Sequence, residues 1–228
     1  MGGTYSNVSV RTTDLDLIRG VLASFPRNAR VVVENGWSVV CDQQSDLFYE
    51  PIEPLGAALS AATGGPAVAA FSFDGDTLGL WVFAGGEAVT AYEHDGEEAT
   101  GDADALRAAL KPDADAEALR AALFDPDEDA WPVERHARVA ALLGLPDAAA
   151  GYTWSYLEED DAPAYTEIAT FDAPVPPLQA YGALLASREQ PFTIRYATEA
   201  DAAVMPGFIT PGEPIYELPP FPGTFPES

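Results

Sequence analysis

From residue 5 to residue 12 apolar and polar positions alternate, with Val8 and Val10 on one face and Asn7, Ser9 and Arg11 on the other, the period of a half-buried strand. Thr13 then stands as a helix cap with Asp16 three residues on, and Leu15, Ile18, Leu22 and Phe25 recur at helical spacing until Pro26. Residues 30–34 and 37–42 flank Asn35-Gly36, the pair that best tolerates the positive φ angles of a type I′ turn, so a hairpin is expected there. Pro54, Leu55 and Leu59, closed by Gly64-Gly65, predict a second helix. Three strands follow, over 67–73, 77–84 and 87–94, separated by Asp74-Gly75 and Gly85-Gly86. The middle strand is apolar on both faces, with Leu78, Leu80 and Val82 on one and Trp81 and Phe83 on the other. That marks a central strand covered on both sides.

The order through residue 94 is therefore β-α-β-β-α-β-β-β, and the fold class expected is α+β, an antiparallel-rich sheet followed by a helical region and further strands. Past residue 100 the texture becomes helical: ADALRAAL at 103–110 is echoed by AEALRAAL at 116–123, with Lys111-Pro112-Asp113 between them, which predicts a helical hairpin. A third helix is expected from Pro132 to Leu143, stopped by Gly144 and Pro146. Residues 151–157 and 165–171 resemble strands around an acidic loop at 158–161, Pro176-Pro177 introduces a helix, and 192–198 suggests another strand. The domain expected spans 1–204, with 93–150 as its acidic helical region. Residues 205–228, rich in proline, glycine and aromatics, form a tail packed on it.

Composition narrows the function classes. The 228 residues are 47% hydrophobic, enough to bury a core despite a formal net charge of −26. A polyanion gains nothing from phosphate neutralisation, so nucleic acid and anionic membranes are not expected partners. No apolar run approaches the roughly 20 residues that span a bilayer, and a lone Cys41 makes no internal disulfide. A soluble, cytoplasmic protein is the expectation. The charge is uneven: 10 acids against 4 bases over 1–92, 19 against 5 over 93–161, and 8 against 2 over 162–228. The excess in the middle segment is thus a solvated surface, the mark of a salt-adapted or alanine- and arginine-biased proteome, or a face for a basic partner.

Few residues offer chemistry. Asp125, Asp127 and Asp129 open like a calcium loop, but Ala130 stands where that loop needs glycine and His136 where it needs a bidentate glutamate, so no metal site is expected. His94 and His136 lie outside any zinc, hydrolase or phosphate-loop spacing, and His136, between Arg135 and Arg138, reads as part of an exposed polar helix face. No catalytic residue and no cofactor is assigned. Tyr152, Trp154 and Tyr156 alternate beside the acidic loop, either as a recognition stripe or as a surface packed under neighbouring chain. The stretch FSFDGDTLGLWVFAGGEAVTAYE, with YSNVSVRTTDLD upstream and ALLGLP downstream, resembles a pattern in uncharacterised bacterial α+β proteins over residues 5–145. That resemblance implies an α+β fold and carries no activity to transfer. Two readings follow. The first is a non-enzymatic protein that binds a basic partner, such as an effector it inhibits, through Asp125, Asp127 and Asp129 with Tyr152, Trp154 and Tyr156. The second is a hydrolase or small-molecule-binding enzyme with a cleft between sheet and helical region, His94 beside its acids.

Overall fold

A computed structural model describes residues 4–25, 27–46, 51–73, 75–125, 131–158, 163–170, 193–196 and 214–217. The chain divides into two units, 1–172 and 173–228. In the first, eight strands form one antiparallel sheet: β1 (Tyr5–Val10), β2 (Ala29–Glu34), β3 (Trp37–Asp42), β4 (Pro66–Phe73), β5 (Thr77–Ala84), β6 (Glu87–His94), β7 (Ala99–Gly101) and β8 (Thr166–Ile168), in the order β7-β6-β5-β4-β1-β3-β2-β8. The N-terminal strand is central, with Val8 opposite Val40 on one side and Ala69 on the other, and all six of its residues are buried. The α+β class expected from the pattern is the class observed.

Helices cover both faces. α1 (Leu15–Leu22) and α3 (Glu53–Thr63) pack Ile18, Leu22, Leu55 and Leu59 on Val8, Val10, Ala69 and Phe83. On the other face α4 (Ala103–Leu110), α5 (Ala116–Phe124) and α6 (Pro132–Leu143) pack Leu106, Leu119, Leu123 and Val139 on Tyr5, Leu78, Leu80, Val82 and Tyr92. β5 serves both cores, as its two apolar faces require.

Local chemistry explains the boundaries. Asn35 and Gly36 take φ of 51° and 82°, the left-handed pair that a type I′ hairpin needs, and Glu34 faces Trp37 across the turn. Asp102 and Asp115, equivalent positions of the repeated octad, each accept two backbone N–H bonds and cap α4 and α5. α6 begins at Pro132 and ends where Gly144 turns left-handed at φ 71°.

Several elements differ from expectation. The cap of α1 is Asp14, whose carboxylate accepts from the N–H groups of Asp16 and Leu17, while Thr12 accepts from Asp14. A one-turn α2 (Gln43–Asp46) and the short β7 were not visible in the periodicity. Residues 151–157 do not form a strand. Gly151 adopts φ 92°, the Thr153 hydroxyl accepts the Tyr156 N–H at 2.9 Å, and a 3₁₀ turn over Tyr156–Glu158 follows. A hydroxyl able to close a local turn outcompeted the ladder.

The second unit contains β9 (Thr193–Tyr196) and β10 (Pro214–Glu217), paired antiparallel with Thr193 opposite Glu217. The helix expected after Pro176-Pro177, the boundary at 204–205 and the rest of the 205–228 tail lie outside the described residues. Among the described residues no helix is long and apolar enough to cross a membrane.

Candidate functional site

Of the three aspartates, Asp125 is exposed at the C-terminal end of α5, and Asp127 and Asp129 lie outside the described residues. Asp125 borders a groove of about 700 Å³ between α5 and α6, lined by Ala118, Ala121, Ala122, Ala141, Arg135 and Arg138. The buried Arg135 guanidinium donates to the carbonyls of Leu123 at 2.8 Å, Ala122 at 3.3 Å and Asp125 at 3.4 Å. A cation there satisfies the orphan carbonyls and the negative end of α5.

His136 overturns the exposed-face reading. Buried positions on α6 are Pro132, Arg135, His136, Val139, Ala140 and Leu143, a stripe at helical spacing that carries the imidazole into the core. His136 is completely buried, stacks on Tyr5 with centroids 5.8 Å apart, and places Nδ1 2.8 Å from the Tyr5 hydroxyl. Burial pushes the tyrosine up and pulls His136 down to about 4, so both are neutral. The Tyr5 hydroxyl then donates to Nδ1, which leaves the ring proton on Nε2, and Nε2 has no partner among the described residues. The pair is sealed in the core and is structural. The region between sheet and α4–α6, where the enzyme reading expects a cleft, is filled by buried Tyr5, Leu78, Leu80, Tyr92, Leu106 and Leu119.

His94 ends β6 in a turn, its Nδ1 3.2 Å from the Asp76 carbonyl and 3.3 Å from the Gly96 nitrogen. Beside it, N–H bonds from Glu98 and Glu97 hold the Asp95 carboxyl below its usual range. Burial pushes the Cys41 thiol up, with Asp46 and Asp42 adding to it, and the residue belongs to the core beside Val32 and Val39.

The aromatic trio is half-buried, and its Trp154 is held by a residue that the pattern did not single out. Arg30, on β2, lies over the Trp154 ring at 4.0 Å and donates to its carbonyl at 2.6 Å, with Tyr165 at 5.3 Å and Glu167 at 3.9 Å. Tyr152 and Tyr156 sit 5.1 Å apart, and Tyr152 packs on the small core of Val32, Val39, Cys41, Ala148 and Leu157. The structure thus splits the trio, with Trp154 on Arg30 and Tyr152 against Tyr156, and it brings the Asp125 carbonyl to Arg135.

On the α1–α3 face lies a cavity of about 320 Å³ lined by Ser6, Ser45, Pro51, Ile52, Glu53, Phe71 and Trp81. Its back wall is a buried network: Arg27 pairs with Asp42 at 2.7 Å, the Ser45 hydroxyl donates to Asp42 at 2.5 Å and accepts from Arg27 at 3.1 Å. Arg27 also reaches the Pro51 carbonyl at 3.4 Å. Ser6 is 1% exposed and its hydroxyl has no partner among the described residues, an arrangement that costs about 1–3 kcal/mol. Trp81 lies flat along β5 over Gly79, where a Cβ would meet the ring at 2.3 Å, and its indole N–H donates to Glu93 at 3.2 Å. The signal available in the sequence was Gly79 itself, a glycine in the middle of a central strand, which marks a close approach.

Among the described residues no cluster of three His, Cys, Asp or Glu side chains is arranged to hold a metal ion. No protein-family model matches the chain, and no curated protein and no solved structure matches it.

Proposed function

We propose that this chain acts by association, binding a basic protein partner through the acidic α4–α5 hairpin and the 125–129 segment that follows it. The observation that carries this reading is the way the local cations are used. Arg107 and Arg120 both turn to Asp104, and Arg107 also donates to the Pro112 carbonyl. The exposed carboxylates of Asp113, Glu117 and Asp125 form no ion pair among the described residues, Arg135 reaching Asp125 only at its backbone carbonyl. Asp102 and Asp115 have a structural task as caps, but their charges add to the same face. Unpaired carboxylates in the α4–α5 loop, on α5 and just after it focus a negative field, which raises the encounter rate with a basic surface by about 10–10³-fold and rejects acidic ones. The aromatic trio, with Trp154 on Arg30 and Tyr152 against Tyr156, sits outside this core proposal. A cytoplasmic setting is proposed with it, and the free, buried Cys41 is compatible with a reducing compartment.

The test is an amide-resolved NMR titration of the ¹⁵N-labelled protein with a lysine- and arginine-rich peptide. Shifts should concentrate on residues 104–125 and collapse at high salt, where the screening length falls to about 3 Å. Shifts of equal size around Glu34, Asp76 and Glu87 would mean that the whole surface attracts the peptide, and would overturn the reading.

A further inference from the structure

We propose that the cavity on the α1–α3 face is a binding site for a small organic amine with an aromatic or apolar body, a site independent of the acidic hairpin. Four observations converge on it. Ser6 presents a hydroxyl from the centre of the sheet, buried and without a partner among the described residues, and of the buried unpartnered polar atoms there it is the one that lines this cavity, where a ligand completes it. Ser45 is locked in place by Asp42 and Arg27, and Arg27 also contacts the Pro51 carbonyl at the cavity lip, so the polar wall is set before any ligand arrives. Trp81 is clamped between the Gly79 backbone and Glu93, which leaves a fixed indole beside Phe71 as the apolar wall. Glu53 supplies a half-buried carboxylate at the first turn of α3 with no cation partner among the described residues.

These parts specify the ligand. A carboxylate next to an aromatic face recognises an ammonium group, by charge and by the ring quadrupole together. The body of the ligand lies on Trp81 and Phe71, and a hydroxyl or carbonyl at its far end meets Ser6. The volume sits at the lower end of the range for small-molecule pockets, which excludes nucleotides and peptides of several residues. The chain's net charge of −26 draws cations toward the mouth. Nothing in the cavity asks for bond making or breaking, and the site is one of binding.

Three probes of one shape separate the contributions: phenethylamine, 2-phenylethanol and 3-phenylpropionate, titrated into ¹⁵N-labelled protein and followed at the Trp81 indole N–H and the Ser45 and Glu53 amides. The amine should saturate those signals about tenfold more tightly than the alcohol, the worth of one charged contact, and the carboxylate should not bind. Glu53→Gln should bring the amine down to the level of the alcohol and leave the alcohol unchanged. Ser6→Val, which fills the floor and removes the orphan hydroxyl, should weaken all binding while the protein keeps its fold, read from the rest of the spectrum. Absence of saturable shifts at Trp81, equal binding of amine and carboxylate, or an amine affinity untouched by Glu53→Gln would each overturn the proposal.

Discussion

Replacing His136 by glutamine removes the one histidine sealed in the core and leaves an amide that can still accept from Tyr5. A histidine that titrates near 6.5 in the open chain and at about 4 in the fold contributes about 3 kcal/mol at neutral pH, from ~1.4 kcal/mol per pH unit. The sign follows from proton counting. Between pH 6.5 and 4 the unfolded chain binds a proton that the folded core refuses, so acidification favours unfolding. Stability from this group is full above about 6.5, declines as pH falls toward about 4, and changes no further below that. Surface carboxylates also protonate at the acid end and relieve the repulsion of a −26 chain, but they do so in both proteins. The difference between wild type and His136→Gln therefore isolates the buried imidazole. Urea unfolding followed by circular dichroism from about pH 7.5 to about pH 4.5 should show the wild-type advantage shrinking by about 2.5 kcal/mol. NMR of the ring should show a neutral Nε2–H tautomer throughout the upper range. Parallel stability curves for the two proteins, or a ring that titrates near its ordinary value, would refute the buried-pair account.

Arg27→Ala strands the Asp42 carboxylate in the core, and urea unfolding should show a loss of about 3–5 kcal/mol. A loss below about 1 kcal/mol would show that the network is not a closed pair. Gly79→Ala places a methyl 2.3 Å from the Trp81 ring, so it should cost about 1–3 kcal/mol and shift the Trp81 indole N–H signal. An unmoved indole would contradict the clamp. Asp115→Ala removes the α5 cap and should cost about 1 kcal/mol, whereas Asp113→Ala, two residues away and exposed, should be nearly neutral in the same unfolding assay. Equal effects would mean that the cap carries no stability of its own.

Elements whose specification is local were legible in the sequence. Asn35-Gly36 names its own turn because few other pairs hold two positive φ angles, and Pro132 and Gly144 bound α6 because each suits one helix end and disrupts the other. β5 announced two covered faces by carrying apolar residues on both. What stayed hidden depends on residues far apart in the chain. Arg30 meets Trp154 across 124 positions, and Tyr5 meets His136 across 131, so no local window contains either contact. His136 was nevertheless recoverable: counting back three and four residues from Val139, Ala140 and Leu143 lands on Arg135 and His136, and the polar character of the pair masked their place on the buried stripe. The segment 151–157 shows the opposite failure, an alternation that joins no strand ladder among the described residues and a threonine that closes a local turn. Of the candidate site, the acidic hairpin was visible as composition, while the use of both arginines by Asp104 needed the fold.

The proposal that the acidic hairpin is a contact face, and not a sample of a uniformly negative surface, is tested most directly by two variants of equal net charge. Asp125→Asn/Asp127→Asn/Asp129→Asn removes three of the four acids of the segment after α5, and Glu34→Gln/Asp76→Asn/Glu87→Gln removes three acids at the sheet turns. Association with the lysine- and arginine-rich peptide is followed by stopped flow at low and at physiological salt. The first variant should lose about tenfold in association rate and part of its salt dependence, and the second less than about twofold in rate. An equal loss in both would contradict a localised face and return the charge to a property of the whole molecule.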